Sequence, residues 1–355
     1  MEKEIFVVKR NGEREKFSPK KIEKILKWGI SDMEDVDLNE IIKHFEFNYT
    51  SDGISTKQIH NTLIESCLDL ISIENPNYQF VAGRLLNYSL RKDVWGGANP
   101  PRLLDLVRQN IKNGYYDKFI LEKYSTRDIN KINEFIKHDR DLNFSHAGIK
   151  QLIDKYLVQN RETKEIFESP QFVYALVSMT LFAEEKKDRL TWVKKAYDYF
   201  STFKINLATP VLAGARTSLR SYASCALFSV DDTLNSICTH DYLFKKASAS
   251  RYGLGFDISR LRPINSRIRN GDVLHTGLVP YLKNFESGIK SCHQNGLRGA
   301  SATVFIAWWH AQVEDVLVLK NNSLPDERAV RFLDYCLCFS RLFRERVKSH
   351  GNITL

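Results

Sequence analysis

The chain has 355 residues, enough for two or three domains, and its 43% hydrophobic and 27% charged residues are the make-up of an ordinary soluble globular protein. No apolar run approaches the roughly 18 to 20 residues of a membrane span, and the opening MEKEIFVVKRNG lacks the apolar region of a secretory signal, so a cytoplasmic protein with no membrane partner is expected. The net charge of +9 attracts polyanions, but its spread along the chain favours discrete phosphate pockets over the basic stripe of a nucleic-acid binder.

In chain order, Ile5 to Lys9 and Arg14 to Phe17 read as short strands around Asn11-Gly12, a favoured two-residue hairpin turn. Ser18 offers an N-cap oxygen and Pro19 suits the first helical position, with Ile22, Ile25 and Leu26 as the apolar face. A second helix is predicted to start near Ser55 or Thr56, with Ile59, Leu63 and Cys67 on one side. Asn75-Pro76 breaks the chain before a third helix through Phe80, Leu85 and Leu90. This module closes near Trp95-Gly96-Gly97, and Pro100-Pro101 marks a boundary.

Residues 102–203 read as helical, notably PQFVYALVSMTLFAEE and LTWVKKAYDYFSTF. After Pro210 the pattern changes. CALFSV, LGFDI and ATVFIAWW look like short buried strands, alternating with helical stretches such as VPYLKNFESGIKSC. That alternation predicts an α/β domain with parallel strands, and a layer ending at SHGNITL reads as incomplete.

Six cysteines (67, 225, 238, 292, 336 and 338) in a reducing compartment are not a disulfide framework. Cys336-x-Cys338 is too little for a zinc site, so buried thiols are expected there and no metal site is predicted. Lys9, Arg10 and Lys21 lie around a hairpin and a helix start, where backbone N–H groups and basic side chains together suit phosphate. A plain solvated basic surface is the competing reading. Thr56 and His60 share a helix face at i and i+4, and alone they read as surface and core residues.

Gly253-Leu-Gly255 lacks the third glycine of a dinucleotide fingerprint and permits only close backbone approach or a tight turn. RLRPINSRIRNGD and SCHQNGLRGASA are basic and polar loops able to wrap a nucleotide or merely to connect elements. Cys225 is either a small core residue or a reactive thiol. Ser224 and Asp231-Asp232 beside it do not complete a triad.

Taken together, VKRNGEREKFSPKKI, KYLVQNRETKEIFESPQF, STFKINLATPV, SCALFSVDDTL, HTGLVPYLKNF, KSCHQNGLRGASAT and VLVLKNN resemble, in order, segments of the large catalytic chain of class I ribonucleotide reductase. The resemblance implies a mixed, helix-rich α/β chain. An ATP-cone would span 1–95, a helical domain 96–220, and the first part of a ten-stranded α/β barrel 221–355. Lys9, Arg10, Glu15, Lys21, Thr56, His60 and Lys92 fall on positions that contact ATP or dATP and set overall activity, and Ser18 replaces a frequent asparagine there.

Asp232, Thr233 and Leu234, with Arg262 and Arg269 for phosphates, correspond to the specificity site for deoxynucleoside triphosphate effectors, which lies at a self-association interface in the family. The loop from Cys292 to Ala300, including Gln294 and Arg298, resembles the element relaying effector identity to the substrate. Asn295 and Ala300 stand where the family commonly has glycine, and both stiffen that loop. Thr209, Ser224 and Gly253 match positions contacting a ribonucleoside diphosphate, with Ala208 in place of a frequent proline. Cys225 matches one member of the redox cysteine pair.

The implied chemistry begins with a cysteine thiyl radical removing the 3′ hydrogen. The 2′ hydroxyl then leaves as water, and a cysteine pair closes into a disulfide that delivers two electrons. In the family, the radical cysteine and the second redox cysteine lie beyond this sequence. The expected partners are the C-terminal half of the large subunit, a metal-containing radical-generating small subunit, and thioredoxin or glutaredoxin as reductant. No covalently bound cofactor and no nucleic acid are expected. A product of a split gene is the favoured expectation, over an excised fragment or a remnant. A non-catalytic nucleotide-binding regulatory chain is the alternative.

Overall fold

The computed structural model describes residues 6–48, 53–160, 162–219, 222–250, 252–292 and 300–353. They form two compact units, Met1–Tyr222 and Ala223–Leu355.

The first unit opens with β1 (Phe6–Val8) and β2 (Arg14–Lys16), paired antiparallel with Val8 opposite Arg14. The connection is longer than the expected two-residue turn. Lys9 N donates to Glu13 O at 2.8 Å and Gly12 N to Lys9 O at 3.0 Å, leaving Arg10, Asn11 and Gly12 as a three-residue loop. Gly12 takes φ +84, the left-handed residue such loops require, and Asn11 Oδ1 accepts from Glu13 N.

Helix α1 (Pro19–Gly29) starts where Ser18-Pro19 predicts, but the Ser18 hydroxyl makes no capping bond, contrary to expectation. Helix α2 (Leu38–Asn48) was not predicted. Helix α3 (Thr56–Asp69) begins with a complete capping box between Ser55 and Gln58. Helix α4 (Tyr78–Trp95) ends at Gly96, whose φ is +71.

Val7, Leu26, Ile41, Phe45, Leu63 and Leu85 meet in the core of this module. Leu90, further along α4, belongs to the next core, so one helix serves both. That second core is built by α5 (Leu103–Lys112), α6 (Phe119–Lys123), α7 (Thr126–Phe135), α8 (His146–Gln151), α9 (Pro170–Leu181), α10 (Arg189–Ser201) and α11 (Thr209–Gly214). Helix α9 is almost wholly buried, as its largely apolar sequence requires.

One ion pair crosses this core with both side chains at 0% exposure, Arg216 with Glu168. Arg216 Nε and Nη2 both donate to the carboxylate, which also accepts from Val158 N at 2.6 Å and Tyr116 OH at 2.5 Å. Arg216 Nη1 donates to Leu212 O, which ties down the end of α11.

The second unit holds β3 (Cys225–Ser229), α12 (Leu234–Ala249), β4 (Gly253–Asp257), β5 (Arg267–Ile268), β6 (Val273–Leu274), α13 (Leu278–Ser291), β7 (Ser301–Ala307), α14 (Val313–Leu317), β8 (Asp334–Cys338) and α15 (Arg341–Lys348). Four strands form a parallel sheet in the order β3-β4-β7-β8, open at β3 and β8. Its face that is even-numbered in β3, β4 and β7 and odd-numbered in β8 packs on α12 and α13 through Phe228, Phe244, Phe256 and Phe285, whose rings lie 4.5 to 5.6 Å apart in successive contacts.

The opposite face, odd-numbered in β3, behaves differently. Cys225 and Ser229 are exposed and Leu227 is 79% exposed, so β3 is not the buried strand its sequence suggested. Strand β8 was not predicted, and it corrects the expectation of two buried thiols. Cys338 is exposed and Cys336 half-buried, both on the face that carries Cys225. The basic stretch after Leu261 includes the β5–β6 ribbon rather than only a loop. Among the described residues, no helix is long and apolar enough to cross a membrane.

Candidate functional site

All eight residues singled out in the N-terminal module line one cavity of about 1060 Å³: Lys9, Arg10, Glu15, Ser18, Lys21, Thr56, His60 and Lys92. They arrive from the hairpin, α1, α3 and α4, which the shared core holds in register. Glu15 accepts from Lys21 Nζ at 2.8 Å and faces Lys9 Nζ at 3.4 Å. Its bond to Lys21 outweighs desolvation and holds its carboxyl below the usual range.

His60 is 9% exposed, and its Nε2 lies 2.6 Å from Leu85 O, an oxygen that can only accept. The ring is therefore a donor there. Burial, opposed by that bond and aided by Arg10 and Lys92, lowers its pKa, so the imidazole is neutral at pH 7.

Sequence reasoning missed the aromatic wall of this cavity. Tyr88 stacks on His60 at 5.8 Å, meets Trp28 at 5.5 Å and carries Lys92 Nζ 4.5 Å above its ring. The Tyr88/Lys92 spacing of i and i+4 on α4 was the available signal. Cations beside an aromatic wall suit a ligand with phosphates at one end and a flat ring at the other.

In the second unit, Asp232 and Arg262 are brought into direct contact. Asp232 accepts from Arg262 Nε at 2.6 Å and from its backbone N at 3.1 Å. Thr233 caps α12 by accepting from Ser236 N, and Leu234 beside it is 68% exposed. Arg269 stands in the turn between β5 and β6 at φ 50. Gln312, also missed, is 4% exposed, and its Oε1 accepts from Ile264 N at 2.9 Å and Leu278 N at 3.1 Å, pinning both ends of this segment.

Ser224, Cys225 and Gly253 come together at the start of the open edge. Cys225 lies opposite Gly253 in register, Gly253 N donates to Ser224 O at 2.9 Å, and the Ser224 hydroxyl donates to Cys225 Sγ at 3.7 Å. Cys225 is exposed on this face, as is Leu227 two residues further on. Thr209 opens α11 in the other unit. Gln294, Asn295 and Arg298 lie outside the described residues. Among the described residues, no group of three or more His, Cys, Asp or Glu side chains could hold a metal ion.

Comparison with known families accounts for most of the chain. The ATP cone domain matches residues 5–93, the ribonucleotide reductase all-alpha domain 142–220, and the ribonucleotide reductase barrel domain 223–355. The chain belongs to the ribonucleotide reductase family. Among its relatives, the ribonucleoside-diphosphate reductase subunit alpha of Buchnera aphidicola subsp. Baizongia pistaciae is 43% identical across 100% of the chain, which covers 47% of that protein. Ribonucleoside-diphosphate reductase 1 subunit alpha of Escherichia coli K12 is 41% identical, with the same coverage. The subunit alpha of Enterobacteria phage T4 is 38% identical over 99% of the chain and 46% of its own length. The chain thus spans about half the length of these curated relatives. In ribonucleotide reductase terms it is a mixed, helix-rich α/β chain with an ATP cone, a helical domain and a partial barrel whose described strands form an open sheet.

Proposed function

We propose that this chain works in ribonucleoside diphosphate reduction for deoxyribonucleotide synthesis, together with the part of the reductase it does not contain, on the same or a second polypeptide. The observation that carries the reading is the exposure of Cys225 on the odd-numbered sheet face, with Ser224 and Gly253 beside it.

In this reading the thiol of Cys225 gives its proton to the departing 2′ hydroxyl, which leaves as water. The Ser224 hydroxyl, already donating to Sγ, stabilises the sulfur as that proton leaves. The sulfur then bonds to a second thiol supplied by the remainder of the barrel. The two electrons released as that S–S bond forms reduce the ribose, the proton of the second thiol ends on C2′ in place of the lost hydroxyl, and thioredoxin or glutaredoxin returns both thiols. The 3′ hydrogen is removed and replaced by a radical cysteine, also supplied by the remainder and charged by a metal-containing small subunit.

The ATP-cone cavity takes ATP or dATP, with phosphates on Lys9, Arg10, Lys21 and Lys92 and the ring toward Tyr88. Asp232, Thr233, Leu234, Arg262 and Arg269 take a deoxynucleoside triphosphate effector. Leu234, Cys238 and Tyr242, exposed at i, i+4 and i+8 on α12, supply an apolar stripe for self-association there. The setting is the cytoplasm.

The test is reconstitution of the chain with the remaining reductase portion, small subunit and reductant, following reduction of a ribonucleoside diphosphate. Multiple turnover is expected, and Cys225→Ser is expected to abolish it. Full activity in that variant removes the thiol from the reaction. Nucleotide binding without turnover under every reconstitution favours a regulatory chain instead.

A further inference from the structure

Three of the cations at the phosphate end of the ATP-cone cavity, Lys9, Arg10 and Lys21, already hold carboxylates. Glu15 serves Lys9 and Lys21, whose stems are 39% and 66% exposed. Arg10 is held differently. Its Nε donates to Asp93 Oδ1 at 2.8 Å and its Nη2 to Ser89 Oγ at 2.9 Å, and its side chain is 27% exposed. The other oxygen of Asp93 accepts from Lys57 Nζ at 2.9 Å. Asp93 thus joins the hairpin loop, α3 and the last turn of α4, one residue beyond Lys92.

Partial burial of Asp93 works against its charge, but the bonds from Lys57 and Arg10 outweigh this and keep the carboxyl below its usual range. It is an anion at neutral pH. A polyphosphate reaching Arg10 therefore meets a charge of its own sign and competes for the same guanidinium edge. Within a Debye length of about 10 Å at 0.1 M salt, that repulsion is felt by the ligand and is sensitive to ionic strength.

We propose that Asp93 is a resident competitor of the effector phosphates for Arg10, setting how tightly the cavity takes a triphosphate relative to an unphosphorylated nucleoside. The inference rests on the reading of this cavity as a nucleotide site. Asp93 and Lys57 both stand behind the lining residue Arg10 rather than in the lining itself, and Lys57 tunes the competitor by occupying its second oxygen.

The experiment is calorimetric titration of the whole chain and its Asp93→Asn variant with ATP, tripolyphosphate and adenosine, at low and high salt. Thermal melting serves as the folding control. The variant is expected to bind ATP and tripolyphosphate about fivefold tighter at low salt, with adenosine unchanged and the gain shrinking at high salt. In an Arg10→Gln background the same substitution gains less, because the contested group is gone. Weaker ATP binding by a folded Asp93→Asn variant means that the carboxylate orients Arg10 for phosphate, and it overturns the competitor. Unchanged affinity, when the unaltered chain binds ATP, overturns it too. If the unaltered chain binds neither ATP nor tripolyphosphate, the nucleotide reading of the cavity falls, and this inference with it.

Discussion

Replacing Glu168 with Gln tests the buried pair that anchors the end of α11. In the native chain the carboxylate neutralises a guanidinium at 0% exposure and accepts from four donors: Nε and Nη2 of Arg216, the Val158 amide and the Tyr116 hydroxyl. An amide keeps one acceptor oxygen and turns the other position into a donor. Its best orientation leaves the oxygen on Val158 N and Nη2, and lets Tyr116 rotate its hydroxyl to accept from the new NH₂. Arg216 Nε then faces a donor, and the guanidinium charge is uncompensated. Breaking a buried pair from one side costs about 3 to 5 kcal/mol, and the retained bonds place this case near 3. With a urea m-value of about 3 kcal/mol/M for a unit of this size, the midpoint falls by about 1 M. Urea unfolding measures that midpoint, and hydrogen exchange at the amide of Asp117, bonded to Arg216 O at 2.9 Å, reports the local loss. A shift below about 0.3 M refutes the argument, because an ion pair that water can reach would behave that way. The double replacement Glu168→Leu with Arg216→Met is expected to cost less than Glu168→Gln alone, since it leaves no buried charge behind.

Two further predictions concern the same unit. Burial, aided by Arg91 and opposed by Asp139, pushes His138 down to about 4, so the folded state binds fewer protons than the unfolded one between there and the ordinary value near 6.5. Its contribution is full above pH 6.5 and is lost as pH falls toward 4, at most about 3 kcal/mol, and His138→Gln is expected to flatten that slope in pH-dependent denaturation. An unchanged slope would assign the acid sensitivity elsewhere. Gly83→Ala on α4 places a Cβ 2.3 Å from Phe144 O and 2.9 Å from Ser145 C, both backbone atoms. Helix propensity alone favours alanine by about 1 kcal/mol, but overpacking costs about 1 to 3, so a net loss of up to about 2 kcal/mol in thermal or urea unfolding is expected, and a gain in stability would contradict the close approach of α4 to the start of α8.

Local signals in the sequence located what local physics controls. Ser55, Pro19, Asn75-Pro76 and Gly96 each mark the helix end that the structure has. Helix α2 was legible in Leu38, Ile41, Ile42 and Phe45, which follow helical spacing, but the acidic run before them reads as a solvated connection. Strand β8 was hidden because DYCLC invites attention to its sulfurs rather than to its alternation. The aromatic wall around Tyr88 and the clasp of Asp93 on Arg10 depend on pairs 60 and 83 residues apart or nearly so, a separation at which sequence periodicity is silent. Resemblance to the family supplied the members of the cavity. Their mutual neutralisation is visible only once the hairpin, α3 and α4 are packed together.

Cys67 and Cys225 differ in how they meet oxidants. Cys67, sealed in the first core, has its thiol pushed up to about 12 by burial and stays protonated and inert. Cys225 faces solvent from the rim of a sheet whose own strands give it no roof. Peroxide can drive such a sulfur to sulfenic acid and then to sulfinic acid, from which ordinary thiol reductants do not bring it back. Covering that surface would therefore guard the sulfur against irreversible loss.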